Sequence, residues 1–272
     1  DVCYMPRVGH CTGDMQIHEM AWVDGELTFV NTLFSCLAQR SPQYSFVPTW
    51  RPPFITALAP EDRCHLNGLA VRDGQVRYVT ALGETDTANG WRANKRDGGI
   101  LMEVPSGEVL LRGLSMPHSP RWYDGKLWLL ESGTGTIGFV DPETSAYQVV
   151  SELPGFTRGV DFVGPIAFIG LSQVRETATF SGIPLTDRLT ERTCGVWAVN
   201  IQTGETIGWV KFEDAVQEIF AVALLPRAHY PDLVNHDVEL LAGSFVLPDE
   251  ALDQVPESYR NPDAESPGAG AQ

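Results

Sequence analysis

Apolar and polar residues alternate in short runs along most of the chain, and the runs are broken by turn residues rather than by helical spacing. Three stretches share one pattern: Ile17–Val30, Cys64–Val79 and Pro117–Leu130. Each has a histidine, a few small or apolar residues, an Asp-Gly pair and then an alternating apolar run. Period-two alternation on both sides of Asp-Gly predicts a β-hairpin. The histidines fall at positions 18, 65 and 118, spacings of 47 and 53. A repeat near 50 residues built of strand, tight turn and strand predicts a β-propeller.

The same pattern sets out the units. The first starts at His18 and continues through residues 26–31, 33–38 and 44–48. A proline-rich loop at 50–55 follows, unsuited to a central strand. The second runs from His65 through strands at 76–81, 100–104 and 108–112, with a long polar loop at 83–99. The third gives strands at 119–122, 127–132, 137–141 and 147–152. The fourth opens at 157–162 and holds 166–171, an irregular insertion at 173–192, then 195–200 and 206–212. A fifth opens at 216–223. The expectation is an all-β fold, a β-propeller of about five to six four-stranded blades over residues 1–248. A blade absent from this chain would be supplied by a partner chain that completes the ring. Residues 249–272, rich in Pro, Glu, Asp, Gly and Ala, are expected to be a disordered tail.

Charge narrows the partners. Lys and Arg number 19 against 35 Asp and Glu, a net −16, which repels nucleic acid and anionic membrane surfaces. No run of eighteen apolar residues is present to span a bilayer. Five widely spaced cysteines with no Cys-x-x-Cys pair argue against a disulfide framework and for a reducing, cytoplasmic setting.

Candidate chemistry follows from the repeat. The innermost strand of each blade lines the central channel, so the repeated first position aims side chains at one axis. That position holds His18, His65 and His118, then Arg158 and Glu218 in the fourth and fifth units. Three imidazoles suit a divalent transition metal, zinc first and copper or iron next, with an open position for chemistry. Arg158 would meet an anionic part of the substrate or a developing oxyanion. Glu218 would act as a fourth ligand or as a support for its neighbours. Asn67, on the strand face of His65, and the loop residues Arg51, Trp91 and Arg92 are candidate substrate contacts. His10, His229 and His236 fall off the repeat and are expected in loops. Buried cysteines are expected at 36, 64 and 194.

The stretches Val30–Ala38, Trp50–Ile55, Glu61–Ala70 and Gly113–Trp122 resemble a bacterial family of propeller-like proteins known as a conserved domain of unknown function. Some members of that family are joined to tetratricopeptide repeats. The resemblance implies a propeller fold and brings no activity with it. The axial set is also similar in composition to that of the peptidyl-hydroxyglycine lyase propellers, which combine three axial histidines with an arginine around zinc. The function expected is a metal-dependent lyase or hydrolase acting on a small molecule or modified peptide, with oxidative chemistry if the metal is copper or iron. The alternative is a non-catalytic propeller that binds a partner, its polar channel serving structure alone.

Overall fold

Each Asp-Gly pair closes a two-residue hairpin. Asp24, Asp73 and Asp124 have φ near +50° (51°, 54° and 47°), and Gly25, Gly74 and Gly125 follow at 80°, 76° and 72°. Two consecutive left-handed residues give the turn whose twist matches the flanking strands. The turns join Val23 to Glu26, Arg72 to Gln75 and Tyr123 to Lys126. A fourth hairpin joins Val163 to Ile166 through Gly164-Pro165.

The computed structural model describes residues 2–141, 144–173, 182–235 and 237–260. It contains four four-stranded antiparallel sheets, each with its strands in chain order. The first sheet holds Ile17–Val23, Glu26–Asn31, Cys36–Gln39 and Val47–Trp50. The second holds Leu66–Arg72, Gln75–Ala81, Gly99–Glu103 and Val109–Leu114. The third holds Pro117–Tyr123, Lys126–Glu131, Thr136–Asp141 and Ala146–Glu152. The fourth holds Phe156–Val163, Ile166–Ser172, Cys194–Asn200 and Thr206–Phe212. The first strands of successive sheets lie against one another. The chain is an all-β propeller, its four described sheets are blades, and these first strands are the inner ones.

Burial of apolar faces between blades holds the blades together. Val30, Leu37, Leu66, Val79 and Met102 pack between blades one and two. Ala70, Tyr78, Leu101, Leu127 and Leu129 fill the next seam. Trp128, Leu130, Val160, Ile169 and Trp197 fill the third. Near the axis the seams are polar, and hydroxyls close them. Thr32 Oγ1 donates to Leu66 O at 2.6 Å, and Ser132 Oγ donates to Thr157 O at 2.5 Å. Both residues directly follow a second strand and reach the inner strand of the next blade. In blade two that place falls to Leu82, which has no hydroxyl. There Asn67 Nδ2 donates to Pro117 O at 3.0 Å, and the Asn67 amide oxygen accepts from Thr80 Oγ1 at 2.7 Å.

A fifth inner segment continues the series without a sheet of its own among the described residues. Ser172 Oγ accepts from Ile219 N at 2.9 Å and donates to Ile219 O at 3.2 Å, as the earlier hydroxyls grip their neighbours. Gln173 N donates to Gln217 O, and Leu224 N to the Asp161 carboxylate, at 2.8 and 2.7 Å. The compact body therefore covers His10–Leu224, short of the predicted boundary at 248. The described parts of residues 1–9 and 225–272 form a second unit. In it Val2–Tyr4 pairs in parallel with Pro231–Leu233. Short helices cover Val238–Gly243, Asp249–Leu252 and Glu257–Arg260. The last two lie in the stretch expected to be disordered; residues 261–272 and His236 lie outside the described residues. No described helix is long and apolar enough to cross a membrane.

Gly68 marks how close the inner strands of blades two and three approach. A Cβ there would stand 2.4 Å from Pro120 Cδ and 2.5 Å from Thr80 Oγ1. Gly68→Ala should therefore lower unfolding stability by about 1–3 kcal/mol, the usual cost of overpacking. Urea denaturation checks this; an unchanged midpoint would show that the seam is looser than drawn.

Candidate functional site

The hairpin turns, rather than the histidines, give the structural register. His18, His118 and Arg158 each stand six positions ahead of their turn and are equivalent. In blade two that place belongs to Asn67. His65 lies two positions earlier and shares its place with Gln16 and Met116. All three have positive φ, 51°, 53° and 48°. A shift of two residues keeps a side chain on the same side of a strand, so His65 still reaches the axis. The Ser172 grip on Ile219 sets the fifth segment, where Phe220 takes the axial place. Glu218, predicted for that place, stands two positions earlier; both residues are exposed and neither lines the pocket, though the Phe220 ring lies against Arg158.

Around the axis His18, His65, His118 and Arg158 line one pocket of about 180 Å³. Leu82, Met116 and Phe156 give it an apolar side, and Trp91 and Arg92 reach it from the loop at 83–99. Trp91 and Arg92 ride on a short 3-10 helix, Gly90–Asn94. The loop is tied down at Asp86, whose carboxylate accepts from Arg63 Nη1 at 2.7 Å and Thr56 Oγ1 at 2.6 Å. Elsewhere along the inner strands Arg121 Nη1 meets the Glu19 carboxylate at 2.9 Å and joins blades three and one.

Each imidazole is anchored through Nδ1. His18 Nδ1 lies 2.8 Å from Gln16 O and 2.9 Å from Thr32 Oγ1. A carbonyl can only accept, so Nδ1 carries the proton. The Thr32 hydroxyl gives its own proton to Leu66 O and is free to accept from the ring. His118 repeats this arrangement: Nδ1 lies 2.9 Å from both Met116 O and Ser132 Oγ, and Ser132 donates to Thr157 O. His65 is held differently. Its Nδ1 lies 2.9 and 3.0 Å from the two Asp62 oxygens. Asp62, itself buried, also accepts from Trp91 Nε1 at 2.9 Å. All three rings thus keep Nε2 as the nitrogen not engaged by the protein among the described residues.

Electrostatics keeps two of these rings neutral. Burial lowers the His18 pKa to about 4, helped by His65 and Arg158. Burial also holds His118 well below the ordinary imidazole range, again with Arg158 adding to it. Arg158 is half-buried, and burial lowers its pKa to about 10, so it remains a cation at neutral pH. Its guanidinium lies 4.2 Å from the Phe220 ring centroid. Cys36 and Cys64 are fully buried, and burial pushes both thiols up to about 12, so they act as small apolar groups.

The other predicted contacts separate. Trp91 is a buried wall that positions Asp62, with its ring 4.4 Å from His65. Arg92 is exposed and stacked on Trp91 at 4.4 Å. Asn67 has both ends of its amide engaged at the seam and does not line the pocket. Arg51 lies at a separate surface hollow with Cys36, Trp50 and Leu58. Sequence reasoning missed Asp62, Thr32 and Ser132. An acid three residues before a repeat histidine, and a hydroxyl directly following a second strand in two repeats, are the signals that point to them. The His18 and His65 rings are 4.7 Å apart, whereas His118 packs against Phe156 at 5.6 Å. Among the described residues no three His, Cys, Asp or Glu side chains form a ready-made metal cluster.

Residues 1–234 match the family described as "Domain of unknown function (DUF4915)". No curated protein sequence matches the chain. Among solved structures, Kuenenia stuttgartiensis hydrazine synthase aligns over 78% of this chain and 53% of its own, at 11% identity and TM-score 0.46. A Bacteroides caccae protein of unknown function aligns over 74% and 63%, at 11% identity and TM-score 0.45. Virginiamycin B lyase from Staphylococcus aureus aligns over 75% and 58%, at 10% identity and TM-score 0.41. The chain thus spans about half to two thirds of each of these neighbours, and likeness at this level says nothing of activity.

Lowered histidine pKa values make acid destabilising. An unfolded imidazole protonates near 6.5, while folded His18 does so only near 4. Between those values the unfolded chain binds more protons, so stability falls as pH drops through that window. With chelator present, Tm should decline from pH 6.5 to 4. His118→Asn, which keeps a donor at the Nδ1 place and removes the titration, should flatten the decline. An equal slope in both proteins would show that His118 is not held neutral.

Proposed function

The chain belongs to the DUF4915 family, and from its axial pocket we propose that it is a metal-dependent enzyme in which His18, His65 and His118 hold a divalent transition metal. The observation that carries this reading is the shared anchoring of the three rings through Nδ1. Each Nδ1–H is committed to an internal acceptor, and among the described residues each Nε2 is left unengaged. Imidazole ligands are commonly held in this way, with the second nitrogen bound to a carboxylate, carbonyl or hydroxyl. The donor set suits zinc first, with copper or iron as alternatives. Bound there, the metal would supply Lewis acidity to a carbonyl or carbinol group, the basis of lyase or hydrolase chemistry, or one-electron chemistry if it is copper or iron.

The chain's own residues do the rest. Asp62 orients His65 through Nδ1. Arg158 places a fixed positive charge beside the three rings, where it would stabilise negative charge developing on a small molecule or modified peptide. Leu82, Met116, Trp91 and Phe156 exclude water from one side, which strengthens each polar contact inside.

Metal content after reconstitution with zinc, copper or iron checks the proposal. One ion per chain is expected, with loss in His65→Ala and His118→Ala. Asp62→Asn should retain the fold and weaken metal affinity about 10–100-fold, as expected for loss of a supporting carboxylate. A wild-type protein that takes up none of the three metals contradicts the proposal, and leaves the axial histidines as seam supports of a non-catalytic binding protein.

A further inference from the structure

The pocket's charge arrangement says what it accepts. The chain carries a net −16, yet Asp62 is the single carboxylate among the residues lining the pocket. Asp62 is already committed to His65 and Trp91. Arg158 is different. Glu218 and Glu19 act on it at a distance, but among the described residues no carboxylate or carbonyl accepts a hydrogen bond from its guanidinium. Phe220 covers one face of the guanidinium, which leaves its edge of N–H donors for the pocket. Those donors remain accessible, and a carboxylate would exchange their contact with water for a charge-assisted pair of hydrogen bonds.

We propose that the pocket binds a small monocarboxylate, its two oxygens paired on the Arg158 edge and its apolar remainder against Leu82, Met116 and Phe156. A planar carboxylate matches the guanidinium fork in a way that a spherical ion does not. The volume of about 180 Å³ admits roughly six water-sized groups at ~30 Å³ each, which limits the ligand to a small acid. Arg158 is the half-buried guanidinium of the pocket, whereas Arg92 stands exposed at its loop with Nε given to Asn89 Oδ1, so one planar carboxylate is the anion the inner site fits. This inference rests on the axial pocket being the functional site, and not on the pocket holding metal.

The test uses the full chain stripped of metal with chelator. Sodium acetate, pyruvate and propionate, and the neutral amides acetamide, pyruvamide and propionamide, are titrated by ligand-observed NMR. At least one acid should bind, with its amide about tenfold weaker or worse, the size expected for a charge-assisted hydrogen-bond pair. Arg158→Gln should cost that acid a similar factor, and Arg158→Lys should restore part of it. The inference is overturned if no acid binds, if acid and amide bind alike, or if a folded Arg158→Gln binds as well as wild type. The acid–amide comparison is made on wild type, so it stands even if the variants fold poorly. Acid binding without any metal uptake would sink the metal reading and leave this one intact; metal uptake with no acid binding would do the reverse.

Discussion

The structure depends on a hydroxyl that faces two ways. At Thr32 and again at Ser132, one oxygen donates to the inner strand of the next blade and stands 2.9 Å from an imidazole Nδ1. The first bond closes a polar seam near the axis, where an unpaired backbone carbonyl would be costly. The second fixes the tautomer of the ring. Blade packing and ring orientation are therefore one arrangement. Where the hydroxyl is lacking, in blade two, Asn67 closes the seam and a carboxylate, Asp62, orients the ring.

A cation beside the histidines completes that arrangement. Arg158 occupies the same place in blade four that His18 and His118 occupy in blades one and three. Its charge disfavours protonation of both of those rings, in the same direction as burial. The pocket thus sets neutral imidazoles next to a permanent positive charge. Acceptor nitrogens on one side and guanidinium N–H donors on the other give one small pocket two complementary kinds of polar contact.

Much of the fold was legible because Asp-Gly turns carry their own geometry. Asp24-Gly25, Asp73-Gly74 and Asp124-Gly125 mark the hairpins without ambiguity, and the four strands of blade three fall close to where alternation places them. Register within the inner strands was less legible. Counting from histidines made His65 equivalent to His18, whereas counting from turns makes Asn67 the equivalent. His65 adopts a left-handed backbone that no pattern of apolar residues announces. The fifth unit shows the same limit. Its apolar run was visible, but which residue faces the axis is set by Ser172 gripping Ile219, a contact between residues 47 apart. That contact favours Phe220 over Glu218. Asp62 was legible only as a loop acid, because its role depends on the fold bringing Trp91 and His65 to the same carboxylate.

The central claim is that the three axial rings are anchored alike through a protonated Nδ1, with His18 and His118 neutral and their Nε2 free of contacts among the described residues. Two-bond proton–nitrogen NMR correlation of 15N-labelled, metal-free protein near neutral pH reads this directly. The account predicts that His18, His65 and His118, assigned through single His→Asn variants, each show a protonated Nδ1, and that Nε2 of His18 and of His118 is unprotonated. A protonated Nε2 on any of the three, with Nδ1 bare, would contradict it.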